Sequence, residues 1–405
     1  MNIKSGLFYW PTTYSASESN HVEFGPLEEN IECDYVIVGS GESGAQSAYF
    51  LSETGARIVV VDKRKIAHGS TFANTGLLQY TSDKPLHTCI HSFGKEKAIR
   101  FYQLCIDAVN GIEQIASLLD INPNFIKRKS LYYASDQDGV ELLKAEYQAL
   151  KENGFPVEAL SKAEIKKRFG FEKEYALYTG NDAEVNPYKL VNGILQLVYK
   201  KNVKIYGETD VKSIFGTNSG VQLVTHNHFT IKAKKVIFAG GYESLEVKNE
   251  KNAFLSSTYA IATEPCLDND GWFENSLIWE TARPYLFMRT TIDRRIIVGG
   301  LDEYTTNTVQ RDSMLIHKKE QLLEKLIDLF PRYKGVKAEY YWTGVFGETH
   351  SGLPMIRQYQ EFPNCFFLMG YGGSGTIYSY ILANILKDLV TIGFHPDAHL
   401  FMNHQ

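Results

Sequence analysis

No CxxC pair occurs among the five cysteines, Cys33, Cys89, Cys105, Cys266 and Cys365. Scattered single cysteines argue against a disulfide framework or a zinc site and fit a reducing cytosol. No stretch reaches the roughly 18 apolar residues that a transmembrane helix needs. The closest, "CFFLMGYGG", is short and broken by glycine. The first twenty residues, "MNIKSGLFYWPTTYSASESN", hold no apolar run of signal-peptide length, so a cytoplasmic protein is expected. A large excess of charge of one sign is also missing. The formal net charge of -5 over 405 residues gives no field that would draw nucleic acid or an anionic membrane. His68, His226 and His228 have no carboxylate or thiol at ligand spacing, so no metal is expected.

What is present is concentrated near the start. "YVIV" (35–38) is a short apolar run of the kind found in a buried parallel strand. Gly39, Gly41 and Gly44 follow in the pattern GxGxxG. Ala48, Phe50 and Leu51 mark a helical face, and "RIVVVD" (57–62) is a second strand that closes on an acid. This is a complete βαβ unit. Gly39 permits the tight turn, Gly41 lets backbone approach a pyrophosphate, and Gly44 lets helix and strand pack closely. The helix N-terminus offers free N–H groups to phosphate. Asp62 stands about 20 residues on, where a carboxylate meets ribose hydroxyls. A dinucleotide is therefore expected. No second such unit follows, which favours FAD over a nicotinamide nucleotide.

Further along, small and polar residues from Gly69 to Gly76 predict a loop and a helix start. Helices are predicted over 95–120, 138–153, 161–169, 186–202 and 317–331. Strands are predicted in "SLYYASD", across 203–241 and through much of 255–305. "KVIFAGG" (235–241) returns to the nucleotide sheet after an insert, so discontinuous domains are expected. Near the end, "CFFLMG" enters the glycine turn "GYGGSGT" and then an apolar helix, a second helix N-terminus suited to an electron-rich group.

Four blocks in this order resemble the D-amino-acid oxidase and glycine oxidase family of FAD-dependent oxidoreductases: "VIVGSGESGAQSAYFLSETGARIVVVDK", "GSTFANTGLL", "ARPYLFMRTTIDRRIIVGG" and "WTGVFGETHSGLPMI…MGYGGSGTIYS". The likeness covers about residues 30–395. The segment ending in "LEENIECD" is similar to the bacterial branch that includes gamma-glutamylputrescine oxidase. The resemblance implies an α/β fold: a GR2-type, Rossmann-like FAD domain (31–90, 186–250, 335–405) and a mostly antiparallel substrate domain (91–185, 251–334) after an N-terminal extension (1–30). It implies that Gly39, Gly41 and Gly44 serve the pyrophosphate, Asp62 the ribose and Lys63 the adenine flank. Ser70, Thr75, Gly76 and Leu77 would line the pyrophosphate and flavin side. Val211 would touch adenine, Ala239 and Gly240 would lie near phosphate, and Gly372, Gly373, Ser374, Gly375 and Thr376 would approach the isoalloxazine.

Several positions depart from relatives. Ala73 replaces the histidine of covalent flavoproteins, and "HSGLPMI" has no cysteine, so non-covalent FAD is implied. Phe346 and Ile377 stand where relatives place the arginine or lysine that holds a substrate carboxylate. Arg283, Arg289 or Arg357 could substitute, or the substrate is an amine anchored elsewhere. The expected chemistry is oxidation of a small amine or amino acid by hydride transfer to flavin N5, with oxygen or another acceptor reoxidising the flavin. His350 could act as base. Tyr259, Tyr285, Trp342 and Tyr371 could wall the pocket, and Glu348 could attract a cationic amine. Two alternatives stay open: a dehydrogenase of 2-hydroxy acids or glycerol phosphate, and a flavoprotein subunit without turnover of its own. An oligomer is compatible with either.

Overall fold

A computed structural model describes residues 1–14, 22–81, 83–217, 220–266 and 272–402. Residues 15–21 of the expected N-terminal extension lie outside them.

The strand Ile58–Val61 is buried at every position, as a strand covered on both faces must be. It pairs in parallel with Ile31–Val38 on one side and Lys204–Tyr206 on the other. Ile31–Val38 pairs in parallel with Thr230–Phe238, which in turn pairs in parallel with Cys365–Met369. Met355–Arg357 closes that edge, and a hairpin of Val211–Thr217 and Gly220–Thr225 adds antiparallel strands to Thr230–Phe238. The result is an 8-stranded mixed sheet.

A second, 10-stranded sheet is mostly antiparallel. Its centre is Ala253–Thr263, flanked by Ala338–Thr349 and Ile296–Glu303, and it continues through Leu286–Thr290, Leu277–Glu280, Ile126–Tyr133 and Tyr175–Glu184. The chain is thus α/β with a nucleotide-type sheet and a large antiparallel sheet, as expected. Sheet membership nevertheless cuts across the expected segments. Ala338–Thr349, expected with the nucleotide part, is a strand of the large sheet. Leu77–Leu78 pairs there too, against Glu184 and Ala183, and Lys4–Leu7 of the N-terminal extension forms its edge. The reason is register: eleven matched positions, from Ala253↔Thr349 to Thr263↔Ala338, tie the strand Ala338–Thr349 to Ala253–Thr263. No helix of the described residues is long and apolar enough to cross a membrane.

The helix Glu42–Ser52 packs against the long helices Gly375–Thr391 and Pro187–Lys200. Lys95–Ser117, expected in the substrate part, crosses Gly375–Thr391 closely enough that a Cβ on Gly111 would come 2.0 Å from the Tyr380 hydroxyl. Asn186 caps the helix it precedes by accepting from Lys189 N, with Pro187 in its first turn. Ser161 and Glu164 form a capping box. Glu42–Ser52 differs, because no side chain caps its start. Its first N–H groups are left for a ligand.

The closest approach in the nucleotide sheet is at Gly44. A Cβ there would stand 1.8 Å from the Gly39 carbonyl oxygen. On Gly41 it would meet only Thr71 Oγ1, at 3.3 Å. Gly44→Ala is therefore expected to cost about 3 kcal/mol or more of stability. Gly41→Ala should stay within about 1 kcal/mol of the parent. Urea denaturation of both variants checks the contrast.

Candidate active site

The two sheets meet along a cavity of about 470 Å³. On the nucleotide side its wall includes Gly39, Gly41, Glu42, Asp62, Lys63, Ser70, Thr75, Val211, Ala239 and Gly240. The large sheet supplies Tyr259, Tyr285, Phe287, Trp342 and Phe346, and the glycine turn supplies Tyr371, Gly372, Gly373 and Gly375.

At the nucleotide end, Asp62 Oδ2 accepts from Ser40 N at 2.8 Å and from Ser40 Oγ at 2.7 Å, and Oδ1 accepts from Arg64 N at 2.9 Å. Burial pushes the Asp62 carboxyl up, while these bonds pull it down. Arg64 forks onto Glu243 at 2.6 and 2.8 Å, and Lys63 joins the same carboxylate at 2.9 Å. The cations of this end are thus partly neutralised, which leaves groove and backbone rather than a bare positive field.

The glycine loop and the second helix start are tied together by one carboxyl. Glu42 Oε1 accepts from Asn74 Nδ2 at 2.7 Å, and Oε2 accepts from Thr376 Oγ1 at 2.7 Å. Asn74 Oδ1 accepts from Gly76 N, and Trp10 Nε1 donates to Asn74 O. The buried Arg289 donates to Gly76 O at 2.6 Å and Val185 O at 3.0 Å. Gly76 itself holds φ 74°, and a Cβ there would lie 2.1 Å from Val185 O.

Not every expected residue reaches the cavity. Gly44, Gly76, Leu77, Ser374 and Thr376 support the wall from behind it. Ser374 Oγ donates to Gln79 O. Ile377 is fully buried in the helical core, because the residue after Thr376 turns away from the face that carries it. His350 is exposed, with its ring 5.2 Å from Phe254 and its backbone N donating to Asn252 O; it does not line the cavity. Tyr259 contributes to the wall, but its hydroxyl donates to Arg311 O. Trp342 Nε1 donates to Ala73 O, and the Tyr371 hydroxyl donates to Gly241 O. Tyr285 is half-buried, and its hydroxyl makes no hydrogen bond to a described residue. No histidine or cysteine is among the lining residues, in keeping with FAD held without a covalent bond.

Of the three arginines offered as carboxylate clamps, Arg289 is spent on main-chain carbonyls and Arg357 on Glu250 and Met402 O. Arg283 lies over the Tyr285 ring at 5.0 Å and donates to Ala282 O. Around that tyrosine the charge is mainly negative. Glu348 is pushed up to about 7 by burial and then by Asp83 and Asp302, against the pull of Arg283. Burial and Asp83 push Asp302 up to about 6, and its Oδ1 is buried without a hydrogen-bond partner. Asp83 is also raised by burial, although Gly373 N donates to it at 2.7 Å. Strand alternation sets Glu348 on the same face as the lining residue Phe346, but Glu348, Asp83 and Asp302 are not themselves among the residues of the cavity wall. Asp83 and Asp302 were not singled out from the sequence, since each sits in a different segment and neither belongs to a motif. Glu42 did carry a signal: an acid inside a glycine loop that has to meet phosphate.

Comparison with known proteins fits this geometry. The family described as FAD dependent oxidoreductase (DAO) matches residues 34–389. The chain is 25% identical to the gamma-glutamylputrescine oxidoreductase of Escherichia coli, over 93% of this chain and 88% of that one. It is 23% identical to a putative Rieske 2Fe-2S iron-sulfur protein of Bacillus subtilis, over 96% of this chain and 75% of the other. Among solved structures it is similar to glycine oxidase from Geobacillus kaustophilus, with a TM-score of 0.76 at 18% identity, covering 91% of this chain and 96% of that one. With the match spanning nearly the whole length, the chain belongs to the DAO family of FAD-dependent oxidoreductases, and its cofactor is FAD.

Proposed function

We propose that this enzyme oxidises the C–N bond of a small amine that carries a second positive charge. The observation behind this reading is the set of three carboxyl groups, Asp83, Asp302 and Glu348, around Tyr285. Carboxyl groups held near one another out of water raise each other's pKa, and a bound cation relieves that cost. An anionic substrate would add to it. Arg283 pulls the Glu348 carboxyl down, against the two aspartates. The basic residues of the cavity wall, Lys63, Arg64 and Lys212, stand at the nucleotide end. A hydroxy acid or glycerol phosphate therefore has no matching clamp. The name of the E. coli relative, an oxidoreductase of gamma-glutamylputrescine, agrees with an amine.

Gly39, Gly41, Ser70 and Thr75 would hold the pyrophosphate of FAD, and Asp62 the ribose. Val211 would border the adenine, and Gly372, Gly373 and Gly375 the flavin ring. Bound FAD supplies a hydride acceptor at N5 and passes the electrons to oxygen or another acceptor. The protein places the substrate C–H bond and excludes water, with Tyr285, Phe287, Trp342 and Phe346 as the apolar walls. The acids fix the charged end of the substrate. The reacting nitrogen enters neutral, and its lone pair becomes the C=N bond as hydride leaves carbon. The imine then hydrolyses in water. This scheme requires no strong base, and His350 is given no part in it.

Anaerobic mixing with a panel of monoamines, diamines, D-amino acids, N-methyl amino acids and hydroxy acids tests the reading through bleaching of the flavin band. Diamines or amino-terminated amides are expected to bleach it at the lowest concentrations. Bleaching by a hydroxy acid alone, or by amino acids in preference to diamines, would overturn it. Glu348→Gln is expected to raise KM for the cation about tenfold with a smaller change in kcat. Glu348 carries its charge above about pH 7, so kcat/KM should rise through pH 7 and this limb should disappear in Glu348→Gln. His350→Ala should leave kcat and KM within about twofold of the parent.

A further inference from the structure

Glu42 is an odd residue to find in a phosphate cradle. It is the first residue of the helix whose uncapped N-terminus faces the cavity, and it lines that cavity itself. Its two carboxyl oxygens are both held, one by Asn74 and the other by Thr376. Thr376 is the second residue of Gly375–Thr391, another helix with no side-chain cap. One carboxyl thus sits in the first turn of its own helix and accepts from a side chain in the first turn of another, where the positive ends of both dipoles favour negative charge. Those are the same partial charges that the pyrophosphate and the flavin ring of FAD would use. An ionised Glu42 and a dinucleotide dianion would compete for one field, and inside a shared cavity their repulsion would be screened less than at the surface.

We propose that Glu42 takes up a proton when FAD binds, so that loading of the cofactor is linked to pH through this residue. Burial already holds the Glu42 carboxyl high, at about 7, against the downward pull of the Thr376 and Asn74 bonds. Without the cofactor it titrates near neutrality, and added negative charge beside it raises it further. The groups facing it are few. From the 241–243 turn comes Tyr242, a phenol held un-ionised by burial; from the 70–76 loop comes Asn74; from Gly375–Thr391 comes Thr376. The cations Lys63 and Arg64 of the same cavity are engaged by Glu243 and are not among the groups acting on Glu42. A protonated Glu42 keeps the carbonyl-type acceptor for Asn74 or Thr376 and gains a donor that can be turned toward an anion. The residue is thus a positioning residue that joins glycine loop, 70–76 loop and flavin-side helix, and its proton sets how tightly they close on FAD.

The sign follows from linkage. Below about pH 7 Glu42 is protonated with or without FAD, so affinity is flat. Above it, binding takes up one proton, and Kd rises by up to tenfold per pH unit until the bound form also ionises. The test dilutes holoenzyme at a series of pH values from 6 to 9 and follows released FAD by its fluorescence. The parent is expected to hold FAD equally at pH 6 and 7 and to loosen about tenfold per unit above. Glu42→Gln should be flat and should bind at pH 9 about as tightly as the parent at pH 6. A role confined to structure would weaken binding in Glu42→Gln equally at every pH. Calorimetry of FAD rebinding by the full-length parent, in buffers of different ionisation enthalpy, reads the proton directly. Uptake of about one proton per FAD near pH 8 and about none at pH 6 is expected. The calorimetric result stands even where the variant fails to fold. No uptake at pH 8, or an unchanged slope in Glu42→Gln, overturns the proposal.

Discussion

The approach of the helix Glu42–Ser52 to the strand Ile31–Val38 is the constraint on which the rest of the site depends. Gly44 stands so near the Gly39 carbonyl that no side chain fits between them. That contact aims the helix N-terminus into the space between the two sheets. It also places Gly41, Glu42 and Asp62 on one wall of the cavity, opposite Tyr285, Trp342 and Phe346. If the helix stood further off, its free N–H groups would point past a bound phosphate rather than at it.

The two ends of the cavity treat charge differently, and the difference assigns their tasks. At the nucleotide end, Arg64 and Lys63 are matched by Glu243, and Asp62 is satisfied by backbone and hydroxyl donors. Around Tyr285 stand the carboxyl groups of Asp83, Asp302 and Glu348 with Arg283 among them, and Asp302 Oδ1 is buried without a hydrogen-bond partner. In the proposed reading, a substrate cation would complete this set. Glu42 lies between these ends and has the character of both: fully hydrogen-bonded, yet with a carboxyl that responds to added charge.

The βαβ unit, the helices near 95–117 and 375–391, and the β-rich stretch through 255–305 were legible because each is a local pattern of apolar period, glycine and cap. The membership of strands in sheets was not. Ala338–Thr349 reads as a strand wherever it lies, and only its long register with Ala253–Thr263 puts it in the large sheet. The site shows the same division. Trp342, Phe346 and the glycines of the last turn were found because they travel in one block. His350 and Ile377 were placed in that block as well, yet the chain turns their side chains to the surface and to the core.

The sequence alone determined that a dinucleotide is bound, since a glycine loop, its helix and its terminal acid are contiguous and their spacing follows from the size of a dinucleotide; the order of four blocks along the chain then carried the resemblance to the family. The grouping of the three acids around Tyr285 was decided by the tertiary structure. Asp83, Glu348 and Asp302 are separated by up to hundreds of residues and belong to a loop and two strands of one sheet. Nothing in their local sequence marks them, because a carboxylate is ordinary until burial and like neighbours take away its water.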